Sequence, residues 1–280
     1  MKTLVIPINW VCKSKCSFCQ YKRFDGTNLV TLKDLGSYKD EYIRGRYGRV
    51  ILTDWEPLEH PEIIDIIIFV QWFTDTCILE SNSERFADND FMKSFSEAID
   101  TMRIYIKIPI YSAQAAIHDQ ITSGSLSVLH KSIQNLEKYN FHNLSFHCLV
   151  LQQNYKYLIE LKDFVSSRWY NIKFIYTIPD WYISEEKILV RFKDIFKENW
   201  NGIVIENMPL CIWNGSFFNE WEKGTILDGK QVNFENDFLS GRLDKVYIDA
   251  CNGCSQKGIC KWIYKKYLQI FDASEFIAIK

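Results

Sequence analysis

Residues 4–19, Leu-Val-Ile-Pro-Ile-Asn-Trp-Val-Cys-Lys-Ser-Lys-Cys-Ser-Phe-Cys, run from a short apolar, β-branched segment straight into three closely spaced cysteines. The run Leu4 to Asn9 reads as a buried first strand. Parallel α/β proteins carry their functional loops at the carboxyl ends of strands, and Cys12, Cys16 and Cys19 follow in that position. Thiolates are soft ligands suited to zinc or to iron–sulfur clusters. Three of them on one loop can hold three irons of a cubane and leave the fourth iron open to a ligand.

Outward from that loop, short apolar runs alternate with helix-period segments as far as Ile178. Further strands are expected at Arg49 to Asp54, Thr76 to Ser81, Met102 to Ile108, Asn143 to Leu151 and Asn171 to Ile178. Helices are expected near Thr31 to Arg44, Pro61 to Phe73, Asp88 to Ile99, Ser125 to Tyr139 and Tyr155 to Ser167, with another from Glu185 to Trp200. Pro61 suits a first helical turn and Ser125 a helix start. Repeated βα units of this kind build a parallel sheet, so the fold class is α/β. After Trp200 the pattern changes to short apolar runs, a turn candidate at Asp228-Gly229, a cysteine-rich stretch and a closing helix. A boundary there divides the chain into residues 1–200 and 201–280.

With 280 residues the chain can bury one substantial core and carry a small appendage. Its net charge of −2 is spread along the sequence, and the basic stretches near Arg44 to Arg49 and Lys261 to Lys266 have the size of solvated helix faces. No nucleic-acid partner is expected. The longest apolar run, Ile63 to Phe73, contains Asp65 and is far shorter than the roughly 20 residues that span a bilayer, so no membrane partner is expected either. Nine cysteines in two terminal groups with three scattered between make a poor disulfide framework, which points to a reducing, cytoplasmic setting. Cys77 and Cys148 sit inside apolar strands and read as core.

The spacing of Cys12, Cys16 and Cys19, with Phe18 just before the last, resembles the signature of the radical S-adenosylmethionine (radical SAM) superfamily. The resemblance implies a partial (β/α)6 TIM-type barrel, a [4Fe-4S] cluster on those three cysteines and S-adenosyl-L-methionine as cofactor. It extends along the strands. Asp54-Trp55-Glu56-Pro57 is similar to the family's Gly-Gly-Glu-Pro, in which the Glu and nearby backbone receive the methionine amino group. Here Asp54 and Trp55 replace two glycines, so Trp55 either points away or narrows the pocket. Glu80-Ser81-Asn82-Ser83 resembles the family's Thr-Asn-Gly. Ile108 to Ser112, followed by His118-Asp119 and Thr122-Ser123-Gly124, resembles a segment common in members with an extra C-terminal cluster domain. The resemblance thus implies cofactor contacts from Phe18, Trp55, Glu56, Pro57, Asn82, Lys107 and Ser112. Read without it, Pro109 to Ser112 shapes a turn and His118-Asp119 caps a helix.

Cys251, Cys254 and Cys260 form the second group, with two ligands on a tight Gly-containing turn and the third expected at a helix start. Cys211 is the candidate fourth, carried back by a hairpin in the intervening stretch. The set resembles the Twitch/SPASM-type auxiliary-cluster domain and implies a second, auxiliary [4Fe-4S] cluster. A structural zinc suits the same four thiolates. The function implied is formation of a 5′-deoxyadenosyl radical and oxidation of a substrate, first a ribosomally made peptide (cross-link or dehydrogenation), with an external electron donor such as flavodoxin or ferredoxin. Dehydrogenation of a small alcohol or amino sugar, and a zinc-binding adaptor without radical chemistry, are the alternatives. Because the first strand begins almost at Met1, a leader-binding domain is not expected, and a partner protein would supply peptide recognition.

Overall fold

The computed structural model describes residues 2–19, 29–176, 188–197, 203, 205–206, 208–212, 224–226, 245–258, 260 and 263–280. Strands β1 (Thr3–Pro7), β2 (Arg49–Thr53), β3 (Cys77–Glu80), β4 (Ile104–Pro109), β5 (Leu144–Val150), β6 (Ile172–Tyr176) and β7 (Ile205–Glu206) pair in consecutive order, every neighbour parallel. The result is a partial barrel. A further short strand, β8 (Gly224–Ile226), pairs with the outer edge of β1. The six expected strands are therefore present, with two short ones added at the edges.

Helices α1 (Leu32–Gly45), α2 (Ile63–Phe73), α3 (Asn89–Ala98), α4 (Ala115–Thr122), α5 (Leu126–Lys138) and α6 (Leu158–Ser166) connect the strands. The start of α1 is fixed by a capping box: Asp34 N–H donates to Thr31 Oγ1, and Thr31 N–H donates to Asp34 Oδ2 at 2.9 Å. Pro61 stands two residues ahead of α2, whose N-cap is Glu62. Helix α4 was not among the expected elements. His118 and Asp119 lie within it, and Asp119 Oδ1 accepts from Leu126 N–H at 2.7 Å, so this carboxylate caps α5 in place of the Ser125 side chain.

Alternation along the strands sorts residues between the two faces of the sheet. Leu4, Ile6, Leu52, Leu79, Ile106, Ile108, Phe146 and Cys148 turn outward and are buried with Leu35, Ile66, Val70, Phe95, Leu129 and Leu161 of the helices in one core. Cys77 and Cys148 are fully buried in it, as expected of core thiols. Their neighbours in sequence, Thr53, Glu80, Lys107 and His147, turn to the hollow side.

The helix expected over Glu185 to Trp200 is much shorter. Ile188, Leu189 and Val190 are buried without helical structure, and only α7 (Phe192–Phe196) is helical among the described residues. Gln152 N–H donates to Ile188 O at 2.8 Å, so docking against the β5 loop competes successfully with local helix formation. The boundary at Trp200 and the Asp228-Gly229 turn fall outside the described residues. The C-terminal part contains the antiparallel pair β9 (Lys245–Val246) and β10 (Ile263–Tyr264), then α8 (Lys265–Ile270). It docks on α7 through Tyr267, whose ring stacks on Phe192 at 4.2 Å and whose hydroxyl accepts from Phe192 N–H at 2.9 Å.

Candidate active site

The cysteine loop leaves β1 through Asn9, a fully buried side chain. Its amide donates to Glu56 O at 2.7 Å and its carbonyl accepts from Val11 N–H at 3.0 Å, which ties the loop to the segment after β2. Farther on, Ser17 N–H donates to Ile121 O at 2.7 Å, Ser123 Oγ to Lys15 O at 3.2 Å, and the Cys16 thiol to Thr122 O at 3.6 Å. The C-terminal end of α4 therefore serves as the platform on which the loop rests. Cys19 N–H donates to Cys16 O at 3.1 Å, closing a tight turn between two of the thiols, and Asn82 Nδ2 reaches across to Ser14 Oγ at 3.1 Å. All three thiols are half-buried, and burial pushes the Cys12 thiol up. The Phe18 ring lies 5.0 Å from that of Tyr111. Tyr111 is buried, and its phenol is raised by burial and by the neighbouring Cys16.

Glu56 is the hub beside this loop. It is only 2% exposed, and its carboxylate accepts from Ser81 Oγ at 2.6 Å, Asn82 N–H at 2.7 Å and Leu58 N–H at 3.0 Å. Burial nevertheless pushes its carboxyl up to about 7, because three hydrogen bonds only partly replace lost hydration. The two segments that meet here are bent at left-handed residues, Asp54 with φ 85° and Ser83 with φ 66°. These are positions at which the resembling motifs have glycine, so the backbone path is kept without the residue that makes it easy. Trp55 leans toward Trp10, ring centroids 6.4 Å apart, and Pro57 opens a single buried 3₁₀ turn over Pro57–Glu59.

The hollow face of the sheet continues the site. Thr53 Oγ1 donates to Glu80 Oε2 at 2.8 Å, and Lys107 Nζ pairs with Glu80 Oε1 at 3.2 Å. His147 stands beyond them on β5, next to Lys173, which pairs with Glu206 at 3.7 Å. Burial lowers His147 to about 4, with Lys107 adding to the fall and Glu80 opposing it, so the imidazole is neutral near pH 7. Two lysine–glutamate pairs thus flank a neutral imidazole across β3 to β7. Of these residues only Lys107 was among the expected cofactor contacts. Glu80 stood in the sequence only as the first residue of the stretch ending in Ser83, and Thr53 and His147 only as polar interruptions in apolar strands, a signal shared by any solvated strand face. Ser112 lies fully buried at the entry to α4, where its Oγ accepts from Gln114 N–H at 3.0 Å.

The second cysteine group also comes together. Cys211, Cys251, Cys254 and Cys260 line a single cavity walled by Pro209, Tyr247, Ile263 and Phe276. Burial, reinforced by Cys260 and then Cys251, pushes the Cys211 thiol up to about 11. Cys251 lies in a 3₁₀ turn over Asp249–Gly253 and Cys254 caps it. Cys260 precedes β10 rather than starting a helix, because the chain pairs with β9 before α8 begins. Most of the stretch that would carry Cys211 back lies outside the described residues. Among the described residues, no three His, Cys, Asp or Glu side chains converge on one point as a single ion requires. The donor chemistry fits a cluster, and a solvent-shielded Ser17 Oγ with no hydrogen-bond partner sits in the first group.

The family model described as "Radical SAM superfamily" matches residues 6–165. No curated protein matches the chain. Among solved structures, Streptococcus suis SuiB bound to S-adenosylmethionine aligns at TM-score 0.65 and 14% identity, covering 99% of this chain and 76% of that one. SuiB bound to precursor peptide SuiA aligns at 0.59 and 16% identity, over 70% of this chain and 44% of that one. Native anSMEcpe with bound AdoMet and Cp18Cys peptide aligns at 0.52 and 15% identity, over 63% of this chain and 51% of that one. In the two peptide-bound structures the matched region is thus about half the neighbour's length. At these identities the likeness is one of fold. No described helix is long and apolar enough to cross a membrane.

Proposed function

Because this chain belongs to the radical SAM superfamily, whose members carry a [4Fe-4S] cluster and S-adenosylmethionine, we propose that it oxidises a ribosomally made peptide. When bound, the cluster and cofactor supply a 5′-deoxyadenosyl radical that abstracts a hydrogen atom. Cys12, Cys16 and Cys19 are the thiolates that hold the cluster, on a loop fixed by α4, Asn9 and Asn82. Glu56, Asn82, Phe18, Trp55, Pro57, Lys107 and Ser112 are the residues assigned to the cofactor, with Glu56 facing its ammonium group. The hollow face, with its paired charges and neutral His147, is the surface offered to the substrate.

The observation that carries the oxidative reading is the shared cavity of Cys211, Cys251, Cys254 and Cys260. Four thiolates there are suited to a closed auxiliary [4Fe-4S] cluster, an acceptor for the electron that a substrate radical must lose to become a cross-linked or dehydrogenated product. The peptide reading is supported by the two peptide-bound neighbours of the same fold. The test is incubation of the anaerobically reconstituted protein with S-adenosylmethionine, a reductant such as flavodoxin, and short peptides encoded beside its gene. Stoichiometric 5′-deoxyadenosine and a peptide lighter by two hydrogen atoms support the proposal. 5′-Deoxyadenosine formed with small alcohols or amino sugars but with no peptide would replace it.

A further inference from the structure

Hydroxyl groups around the cysteine loop are almost all accounted for. Ser14 Oγ accepts from Asn82, Ser123 Oγ donates to Lys15 O, Thr122 Oγ1 donates to His118 O, and Ser112 Oγ accepts from Gln114 N–H. Ser17 is the exception: its Oγ is shielded from solvent and has no partner among the described residues. Buried hydroxyls in folded proteins find a partner in the large majority of cases, and an orphan one marks an unfilled role. The backbone of Ser17 does not require the side chain, since its N–H is already bonded to Ile121 O at 2.7 Å. Nor does the turn, which Cys19 N–H closes onto Cys16 O at 3.1 Å. That turn carries Ser17 in the same loop, next to Cys16 and two residues from Cys19 in sequence.

We infer that the Ser17 hydroxyl donates a hydrogen bond to a sulfur of the cluster held by Cys12, Cys16 and Cys19, and thereby raises that cluster's reduction potential. The inference rests on the proposed ligand set. A donor aimed at sulfur stabilises the reduced form more than the oxidised one, because reduction adds negative charge to the acceptor. Hydrogen bonds to the sulfurs are among the protein's means of setting such potentials. Ser17 is a tuning residue in this account. It does not touch the reacting carbon.

The experiment is a redox titration of the reconstituted full-length protein, monitored by electron paramagnetic resonance. The signal followed is the one that changes on adding S-adenosylmethionine, since a cluster with four thiolates has no open iron to respond. Ser17→Ala should lower the midpoint so that the reduced-to-oxidised ratio at fixed potential falls about tenfold, equivalent to about 59 mV for one electron. Ser17→Thr, which keeps the hydroxyl, should titrate like the native protein. If Ser17→Ala fails to take up iron, Ser17→Thr against Ser17→Val supplies the same comparison. Equal midpoints for hydroxyl-bearing and hydroxyl-free variants at equal iron content overturn the inference and leave the ligand assignment standing. Absence of any cofactor-sensitive signal in the native protein overturns the assignment, and the inference with it.

Discussion

Glu56→Gln isolates the cost of holding an ionised carboxylate beneath the cysteine loop. The side chain is 2% exposed and burial moves its carboxyl from an ordinary 4.5 to about 7. At 1.36 kcal/mol per tenfold, that displacement is worth on the order of 3 kcal/mol. The folded pKa lies above the unfolded one, so the folded protein holds the extra proton between them. The associated stability is complete below about pH 4.5 and is lost as the pH rises through about 7. A glutamine is neutral throughout and loses nothing. It brings a constant penalty of about 1–3 kcal/mol, because its Nε2 must face a backbone or hydroxyl donor that now points at a carboxylate oxygen. Chemical denaturation of the metal-free, reduced protein, followed by circular dichroism, measures both. The stability of Glu56→Gln relative to native should climb by on the order of 3 kcal/mol between about pH 4.5 and about pH 8. Other titrating groups, His118, His147 and Asp54 among them, are common to both proteins and cancel in the difference. A difference that stays flat with pH would mean that Glu56 is as easily ionised in the fold as in the unfolded chain, contrary to this prediction.

Ser83, fully buried at φ 66°, should accept glycine within about 0.5 kcal/mol, while Ser83→Val should lose about 2 kcal/mol or more; urea unfolding separates the two. Phe95, fully buried 4.9 Å from Phe86 and 5.4 Å from Phe141, should cost about 3–5 kcal/mol as Phe95→Ala by the same measurement. Asn82→Ala keeps the backbone donor to Glu56 and removes the tether to Ser14. Reconstituted protein carrying it should release iron to a chelator about tenfold faster than native, with little change in unfolding.

The β-branched runs placed the strands well because a strand buried on one face and hemmed by helices leaves a continuous apolar trace. Arg49 to Asp54 and Asn143 to Leu151 each stray by only a residue or so from β2 and β5. Helix α4 had no such trace. It is only 8 residues long, and Gln114 offers no side-chain cap, so neither periodicity nor a start signal announced it. The opposite error at Glu185 to Trp200 has the opposite cause, since Ile188, Leu189, Phe192 and Ile195 recur at helical spacing, yet Ile188 to Val190 are taken by tertiary burial instead. In the candidate site, the cysteines were legible because their spacing is itself chemical information, and Glu56 through the resemblance of its motif. The Ser17 orphan and the flanking of His147 by two ion pairs were not, because each depends on which neighbours the fold supplies.

Under the function proposed above, two separate thiolate sets hold clusters and the first one drives cofactor cleavage. Iron, sulfide and 5′-deoxyadenosine should be measured together on anaerobically reconstituted native protein and on a variant with Cys12, Cys16 and Cys19 all changed to Ala. The native protein should hold about eight irons and cleave the cofactor, against about four irons and no cleavage in the variant. Zinc in place of iron at either set contradicts the proposed function for that set, and cleavage that survives loss of the three cysteines contradicts it altogether.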